Sequence, residues 1–151
     1  MNVRQIMSGG IVTIEDSGNC HEAVEKMVRH RLPHLPVVTR QGALRGIVTD
    51  RDLRHYLFEP ETLKQVGTVG LEKLMKSMPI FRVMSSPVTT VDADEPVEQA
   101  ARVMLERKLG SLPVMDRGRL AGIVTETDLL RRIVGEDACC ADVGEIVVSY
   151  P

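Results

Sequence analysis

The heptapeptide Gly46-Ile47-Val48-Thr49-Asp50-Arg51-Asp52 has a similar second copy in this chain, Gly122-Ile123-Val124-Thr125-Glu126-Thr127-Asp128. The segments before it are also duplicated in the same order: Met7-Ser8 with Met84-Ser85, and Leu35-Pro36-Val37-Val38 with Leu112-Pro113-Val114-Met115. Such an internal repeat predicts two similar units packed with approximate twofold symmetry, with two equivalent clefts where the units meet.

Each copy has the pattern of strand, helix, strand, strand, helix. Apolar residues at i, i+3, i+4, i+7 and i+8 predict an amphipathic first helix in both copies: Cys20, Ala23, Val24, Met27 and Val28, then Val97, Ala100, Ala101, Met104 and Leu105. Apolar runs around Gly42 and Gly118 predict hairpins, and a second helix is predicted after Thr49 and after Thr125. The fold class is therefore α/β, with two βαββα copies.

The repeat divides the chain into four parts. The copies occupy residues 1–58 and 80–135, a connector that is helical around Leu71–Lys76 occupies 59–79, and a tail of unassigned role occupies 136–151. A copy of this size is small for independent stability, so we expect the two copies to share one core.

Composition excludes several classes of function. The net charge of −2, the absence of tryptophan and an aromatic content of 3% argue against nucleic-acid binding. No signal peptide or membrane-spanning run is visible, and three cysteines without a Cys-x-x-Cys pair fit a reduced, cytoplasmic protein. A disulfide between Cys20 and either Cys139 or Cys140 is the alternative.

No catalytic or metal site is predicted. The chain has neither a nucleophile elbow nor a Walker-type phosphate loop. His30 and His34 have the spacing of a helical ligand pair, but Pro33 lies between them and argues against a shared helical face. We therefore expect no enzyme activity, no metal and no cofactor.

The order Met-Ser, Leu-Pro-Val, then Gly-φ-φ-Thr-x-x-Asp (φ, apolar) resembles the CBS domain, named after cystathionine β-synthase. The resemblance covers about residues 3–58 and 80–135. It implies a tandem pair, or Bateman module, in which two repeats pack with pseudo-twofold symmetry into one disc-like module. Relatives commonly bind AMP, ADP, ATP or S-adenosylmethionine in the clefts, and many form dimers of discs.

The resemblance also implies a set of nucleotide-binding residues. Asp52 and Asp128 would accept hydrogen bonds from ribose hydroxyls, and Thr49 and Thr125 would meet phosphate oxygens at a helix start. Apolar residues would enclose the base, and residues just before Leu-Pro would line the cleft: Ile14, Ala23, Leu32, Pro36, Val91, Ala100, Leu109 and Pro113, with Pro33, His34, Gly110 and Ser111. Basic candidates for phosphate are Arg4, Arg51, Arg82 and Arg131.

Thr-x-x-Asp has a second interpretation, because the same spacing forms a capping box at a helix start, and both roles can coexist. The predicted function is a regulatory or sensor module for an adenine nucleotide, acting as a homodimer on an unidentified protein partner, without membrane or nucleic acid. The alternative is a ligand-free CBS pair that serves oligomerisation or protein interaction.

Overall fold

A computed structural model describes residues 1–135 and confirms the α/β class with the predicted element order in both copies. Short 3-10 turns at Val3–Gln5 and Ile80–Arg82 begin the two copies. The first copy contains β1 (Ile14–Glu15), α1 (Cys20–His30), β2 (His34–Val38), β3 (Leu44–Thr49) and α2 (Asp50–Leu57). The connector is α3 (Pro60–Ser77), and the second copy contains β4 (Val91–Asp92), α4 (Val97–Arg107), β5 (Ser111–Asp116), β6 (Arg119–Thr125) and α5 (Glu126–Val134). The tail, with Cys139 and Cys140, lies outside the described residues.

Each copy forms its own three-stranded sheet, ordered β1-β2-β3 and β4-β5-β6. In both, the first strand runs parallel to the middle one, and the last two strands form an antiparallel hairpin. The register of the hairpins pairs His34 with Thr49 and Ser111 with Thr125. These cross-strand pairs place the residue before each Leu-Pro beside the start of the following helix.

The expectation of one shared core is wrong, because the buried side chains form two clusters, one against each sheet. The first cluster includes Leu35, Val48 and Leu57, and the second includes Leu112 and Val124. Cys20 is buried in the first cluster, where burial raises the pKa of its thiol to about 11.

The copies are joined by an exchange of their leading segments. Val3, at the start of the first copy, is buried in the second cluster, whereas Ile80 and Val83 from the second copy are buried in the first. Ser8 pairs with Ile123, and Ser85 with Ile47. Each cluster therefore contains residues from both copies.

Arg4 fastens the leading segment of the first copy to the second copy. Its guanidinium lies 3.1 Å from a carboxylate oxygen of Asp94 and 2.8 Å from one of Asp116, and these contacts hold the pKa of the Asp116 carboxyl below its usual value. The side chain of Arg4 is thereby engaged away from the cavity described below.

The exchange explains the glycine that opens each repeated heptapeptide. A Cβ placed on Gly122 would lie 2.9 Å from the Ser8 carbonyl oxygen and 2.7 Å from the Met7 sulfur. A Cβ on Gly46 would lie 3.0 Å from the Ser85 carbonyl oxygen and 2.5 Å from the Met84 sulfur. Glycine is needed at both positions because the exchanged segment passes directly over the strand.

Gly122→Ala is expected to lower the free energy of unfolding by about 1–3 kcal/mol, because the added methyl group must displace backbone as well as a methionine. Urea denaturation measures the loss. Gly9→Ala is the matched control, since a Cβ there meets nothing within 4 Å. Equal stability of the two variants would contradict the described packing of Met7 and Ser8 over the sheet.

The helical connector makes the two copies unequal. Leu71, Leu74 and Met75 of α3 pack against the first cluster, which buries Leu57 completely. Ile133 occupies the position of Leu57 in the second copy and is 80% exposed, because no described helix follows α5 to cover it. Within residues 1–135, the second copy therefore presents exposed apolar side chains on α5.

Two residues of the predicted helix stripes are not core residues. Val28 is 73% exposed and Leu105 is 81% exposed, whereas the buried members of the stripes are Cys20, Ala23, Met27, Ala100 and Met104. An α-helix turns 3.6 residues per turn, so the i+8 position lies well round from the first residue of the stripe. Both side chains consequently point away from their sheets.

Candidate functional site

A groove of about 790 Å³ lies where the two copies meet. Both repeated Thr-x-x-Asp motifs line it, so the two equivalent clefts that the repeat predicts form one continuous cavity. The starts of α2 and α5 open into this groove, and the residues that follow α1 and α4 complete its walls. The volume lies within the range of small-molecule sites.

Each Thr-x-x-Asp motif forms a capping box. At α2, the Thr49 N–H donates to Asp52 Oδ2 at 2.9 Å, and the Asp52 N–H donates to Thr49 Oγ1 at 3.1 Å. At α5, the Thr125 N–H donates to Asp128 Oδ2 at 2.8 Å, and the Asp128 N–H donates to Thr125 Oγ1 at 3.3 Å. The capping interpretation of the motif is therefore confirmed.

Capping uses only part of each carboxylate. Within the described residues, every hydrogen bond accepted by the two carboxylates goes to Oδ2, and Oδ1 of Asp52 and of Asp128 accepts none. An ionised carboxylate accepts bonds at both oxygens, so Oδ1 can accept from two neighbouring hydroxyl groups of a ligand. Helix capping and ligand binding are thus compatible in the same side chain.

The threonine hydroxyls differ between the copies. Thr125 Oγ1 donates to Asp128 Oδ2 at 2.7 Å. Among the described residues, Thr49 Oγ1 only accepts, from the Asp52 N–H, and its hydrogen is free for an anion. The start of α2 thus offers one more hydrogen-bond donor than the start of α5.

Nine of the fourteen predicted site residues line the groove. They are Thr49, Asp52, Thr125, Asp128, Leu32, His34, Pro36, Leu109 and Ser111. The other five do not line it: Ile14, Ala23, Val91 and Ala100 belong to the buried clusters, and Pro113 is fully buried in β5. A role for those five side chains in enclosing a base stays a prediction from the family resemblance.

Several lining residues were not predicted from the sequence. Ile47 and Ile123 face the groove, whereas the next residue in each strand, Val48 or Val124, is buried in the core. Strand alternation of side chains carries that signal. Asp50 and Glu126, the first residues of α2 and α5, also line the groove.

Four basic side chains border the groove: Arg31, Arg51, Lys108 and Arg131. Arg31 and Lys108 occupy equivalent positions with left-handed backbone conformation at the ends of α1 and α4. A basic residue repeated at the same position of both copies is the sequence signal that indicates them. Within the described part of the chain, none of the four forms an ion pair. Their positive charges are complementary to the negative charge of a phosphate group.

His34 breaks the symmetry of the groove. Its equivalent in the second copy is Ser111, and its Nε2 atom lies 3.5 Å from the point that a Cβ on Gly110 would occupy. The imidazole therefore reaches from the first copy to the second. Burial lowers the pKa of His34, and the carboxylates of Asp50, Glu126 and Asp52 oppose that shift only in part.

The comparisons with known proteins identify this architecture. The family model described as CBS domain matches residues 3–59 and again residues 80–135. The chain belongs to the CBS domain family. The two matches correspond to the two βαββα copies, so the chain carries a CBS pair, or Bateman module, as the sequence predicted.

The curated relatives include one of similar length and longer proteins of which only a part matches. A CBS domain-containing protein of Dictyostelium discoideum is 36% identical over 87% of this chain and 90% of its own length. A homoserine O-acetyltransferase of Methanohalobium evestigatum is 32% identical over 87% of this chain, but the match spans only 24% of that enzyme. After the first relative, the chain spans between 23% and 44% of the curated relatives it matches.

Solved CBS pairs share the fold. The CBS domain pair of protein MJ0100, in complex with 5′-methylthioadenosine and S-adenosyl-L-methionine, superposes with a TM-score of 0.75 at 29% identity, covering 89% of this chain and 97% of that one. CBSX2 in complex with AMP superposes with a TM-score of 0.72 at 27% identity, covering 89% and 96%. Both relatives hold adenine-containing ligands.

In residues 1–135, no helix has the length and apolar character needed to cross a membrane. In the same part of the chain, no three or more His, Cys, Asp or Glu side chains are grouped so that they could hold a metal ion.

Proposed function

We propose that the groove binds an adenine nucleotide and that the protein is a regulatory module without catalytic activity of its own. The observation that carries the proposal is the pair of aspartates on one groove, each with Oδ2 engaged in a cap and Oδ1 open. A ribose presents two adjacent hydroxyl groups, and a carboxylate that accepts from both holds it with charge-assisted hydrogen bonds.

The remaining groove residues fit the rest of a nucleotide. Phosphate oxygens would meet the positive end of the helix dipole at the start of α2 or α5, the Thr49 hydroxyl and the bordering basic side chains. The base would lie against apolar lining residues such as Leu32, Ile47, Leu109 and Ile123. The ligands of the solved CBS pairs, AMP, 5′-methylthioadenosine and S-adenosyl-L-methionine, support an adenosine moiety.

Occupancy of the groove can regulate a partner because residues of both copies line it. A ligand shifts a conformational equilibrium only by its difference in affinity for the two states. A nucleotide that contacts both copies would favour one relative arrangement of the two sheets. We propose that the module acts in the cytoplasm on a separate protein partner.

A thermal-shift series with AMP, ADP, ATP, S-adenosylmethionine and NAD tests the proposal. At a ligand concentration of about 100 times Kd, stabilisation should reach ~2.7 kcal/mol for one site. Adenine nucleotides should raise the melting temperature, and GMP is the matched control for phosphate binding without adenine. Failure of every adenine ligand to shift melting would leave only the ligand-free alternative, and turnover of any of them would contradict the non-catalytic assignment.

A homodimer is supported by a separate observation, the open apolar face on the second copy. Leu105, Leu130, Ile133 and Val134 are exposed on α4 and α5, whereas Leu57, the first-copy counterpart of Ile133, is buried in the cluster against which α3 packs. Large exposed apolar side chains on neighbouring helices are typical of an interaction surface. We propose a second copy of this chain as its occupant, with the patches meeting across a twofold axis.

A further inference from the structure

His34 lines the groove next to the helix start at which the proposed function places a phosphate group. The β2–β3 register pairs it with Thr49, the N-cap residue of α2. Side chains of directly paired residues share a sheet face, with Cβ atoms about 4.5–5.5 Å apart. His34 therefore lies on the same wall of the groove as the start of α2.

Charged groups surround the imidazole from both copies. Asp50 and Asp52 of α2 and Glu126 of α5 act on it electrostatically. The segment of the second copy that it faces contributes Gly110 and hence no side chain. The basic residues on the groove border are Arg31, Arg51, Lys108 and Arg131. Burial outweighs the three carboxylates and lowers the pKa of His34, so the ring is neutral near pH 7 when the groove is empty.

An anionic ligand would change that balance. A phosphate monoester carries about −1.5 to −2 charges at neutral pH. A charge of this sign within roughly 4–6 Å stabilises the imidazolium form and raises its pKa. The resulting imidazolium would donate a charge-assisted hydrogen bond to a phosphate oxygen. A nucleoside without phosphate would produce neither effect, and Ser111 at the equivalent position has no titratable group.

We propose that His34 takes up a proton from solvent when an anionic nucleotide binds, and that this proton makes the groove selective for phosphorylated over neutral nucleosides. The selectivity increases as pH falls, because less free energy is needed to protonate the imidazole. The inference rests on the proposed nucleotide site and adds to it a proton-linked contact in the first copy alone.

Isothermal titration calorimetry in two buffers of different ionisation enthalpy measures the uptake. Wild type should take up a fraction of a proton with AMP near pH 7 and none with adenosine. In His34→Ser, which installs the residue of the second copy, the uptake with AMP should fall to the contribution of the phosphate itself. His30→Ser, at an exposed histidine that does not line the groove, is the matched control and should keep the wild-type uptake.

The affinity for AMP provides a second readout. Relative to His34→Ser, the AMP Kd of wild type should fall roughly three- to tenfold between pH 8 and pH 6, since one fully linked proton gives tenfold per pH unit. Taking the ratio to the variant cancels the titration of AMP itself.

The unliganded protein tests the neutral starting state. A histidine whose folded pKa lies below its unfolded value of about 6.5 binds fewer protons when folded, so stability is lost as pH falls below that value. Wild type should therefore lose more stability than His34→Ser between pH 7 and pH 5.5. Urea denaturation at the two pH values measures it, and it also shows whether the variant folds.

The outcomes distinguish the role of His34 from the nucleotide site itself. AMP binding with equal proton uptake in wild type and His34→Ser overturns the role of His34 and leaves the nucleotide site standing. Equal pH dependence of stability in the unliganded pair overturns the neutral state of the ring. Absence of binding of both AMP and adenosine to wild type overturns the proposed function, and the inference fails with it.

Discussion

The double substitution Asp52→Asn and Asp128→Asn should weaken AMP binding by at least tenfold while the fold survives. Asparagine keeps the side-chain oxygen that caps each helix, so the loss of stability should stay within about 1 kcal/mol. It removes the charge from the acceptor of the ribose hydroxyls, and hydrogen bonds to charged groups contribute about 1.5–3 kcal/mol. Calorimetric titration of the variant with AMP measures the change in Kd.

Asp50→Asn is the matched control for this experiment. Asp50 begins the same helix and lines the same groove, but its position at the first helical residue gives it no part in the capping box. Removing its charge should leave AMP binding unchanged or slightly tighter. If Asp50→Asn weakened binding as much as the double variant, the effect would come from the general charge of the groove and not from a ribose contact.

Leu57→Ala is expected to lower the free energy of unfolding by about 2–5 kcal/mol. The side chain is fully buried between α2 and the connector helix, and its truncation leaves a cavity in the first cluster. Ile133→Ala is the matched substitution in the second copy, where the side chain is exposed. In dilute protein it should cost no more than about 0.5 kcal/mol.

The same pair of variants tests the proposed homodimer. If α4 and α5 meet a second copy, Ile133→Ala should shift the monomer–dimer equilibrium towards monomer in sedimentation velocity, whereas Leu57→Ala should leave the dimer interface unchanged. A dimer that forms equally well in wild type and Ile133→Ala would exclude this face as the interface. Similar losses of stability in both variants would contradict the covering role of α3.

The repeat itself made much of the fold predictable. Apolar periodicity, the glycine turns and the Thr-x-x-Asp helix starts are local signals, and they located the hairpins and helices of both copies. The same locality explains why nine of the predicted residues line the groove: they lie at the ends of short elements whose direction the motif determines.

The long-range features were not predictable in this way. The exchange of leading segments depends on contacts such as that of Val3 with the second cluster. The apolar pattern of a leading segment is the same whether the segment packs on its own sheet or on the sheet of the other copy, so the pattern does not predict the exchange. Ile14, Ala23, Val91, Ala100 and Pro113 were placed around a base by analogy, yet burial in the sheets and helices decides their surroundings. The reach of His34 towards Gly110 depends on the packing of the copies, which no single segment encodes.

The central claim is that a nucleotide lies between the two copies with its ribose held by a capping aspartate. A crystal structure of the protein grown with saturating AMP tests it most directly. The account predicts the ribose hydroxyls within about 2.5–3.0 Å of Oδ1 of Asp52 or Asp128, with the phosphate at a helix start. AMP bound elsewhere, or a groove that stays empty at saturating AMP, would contradict it.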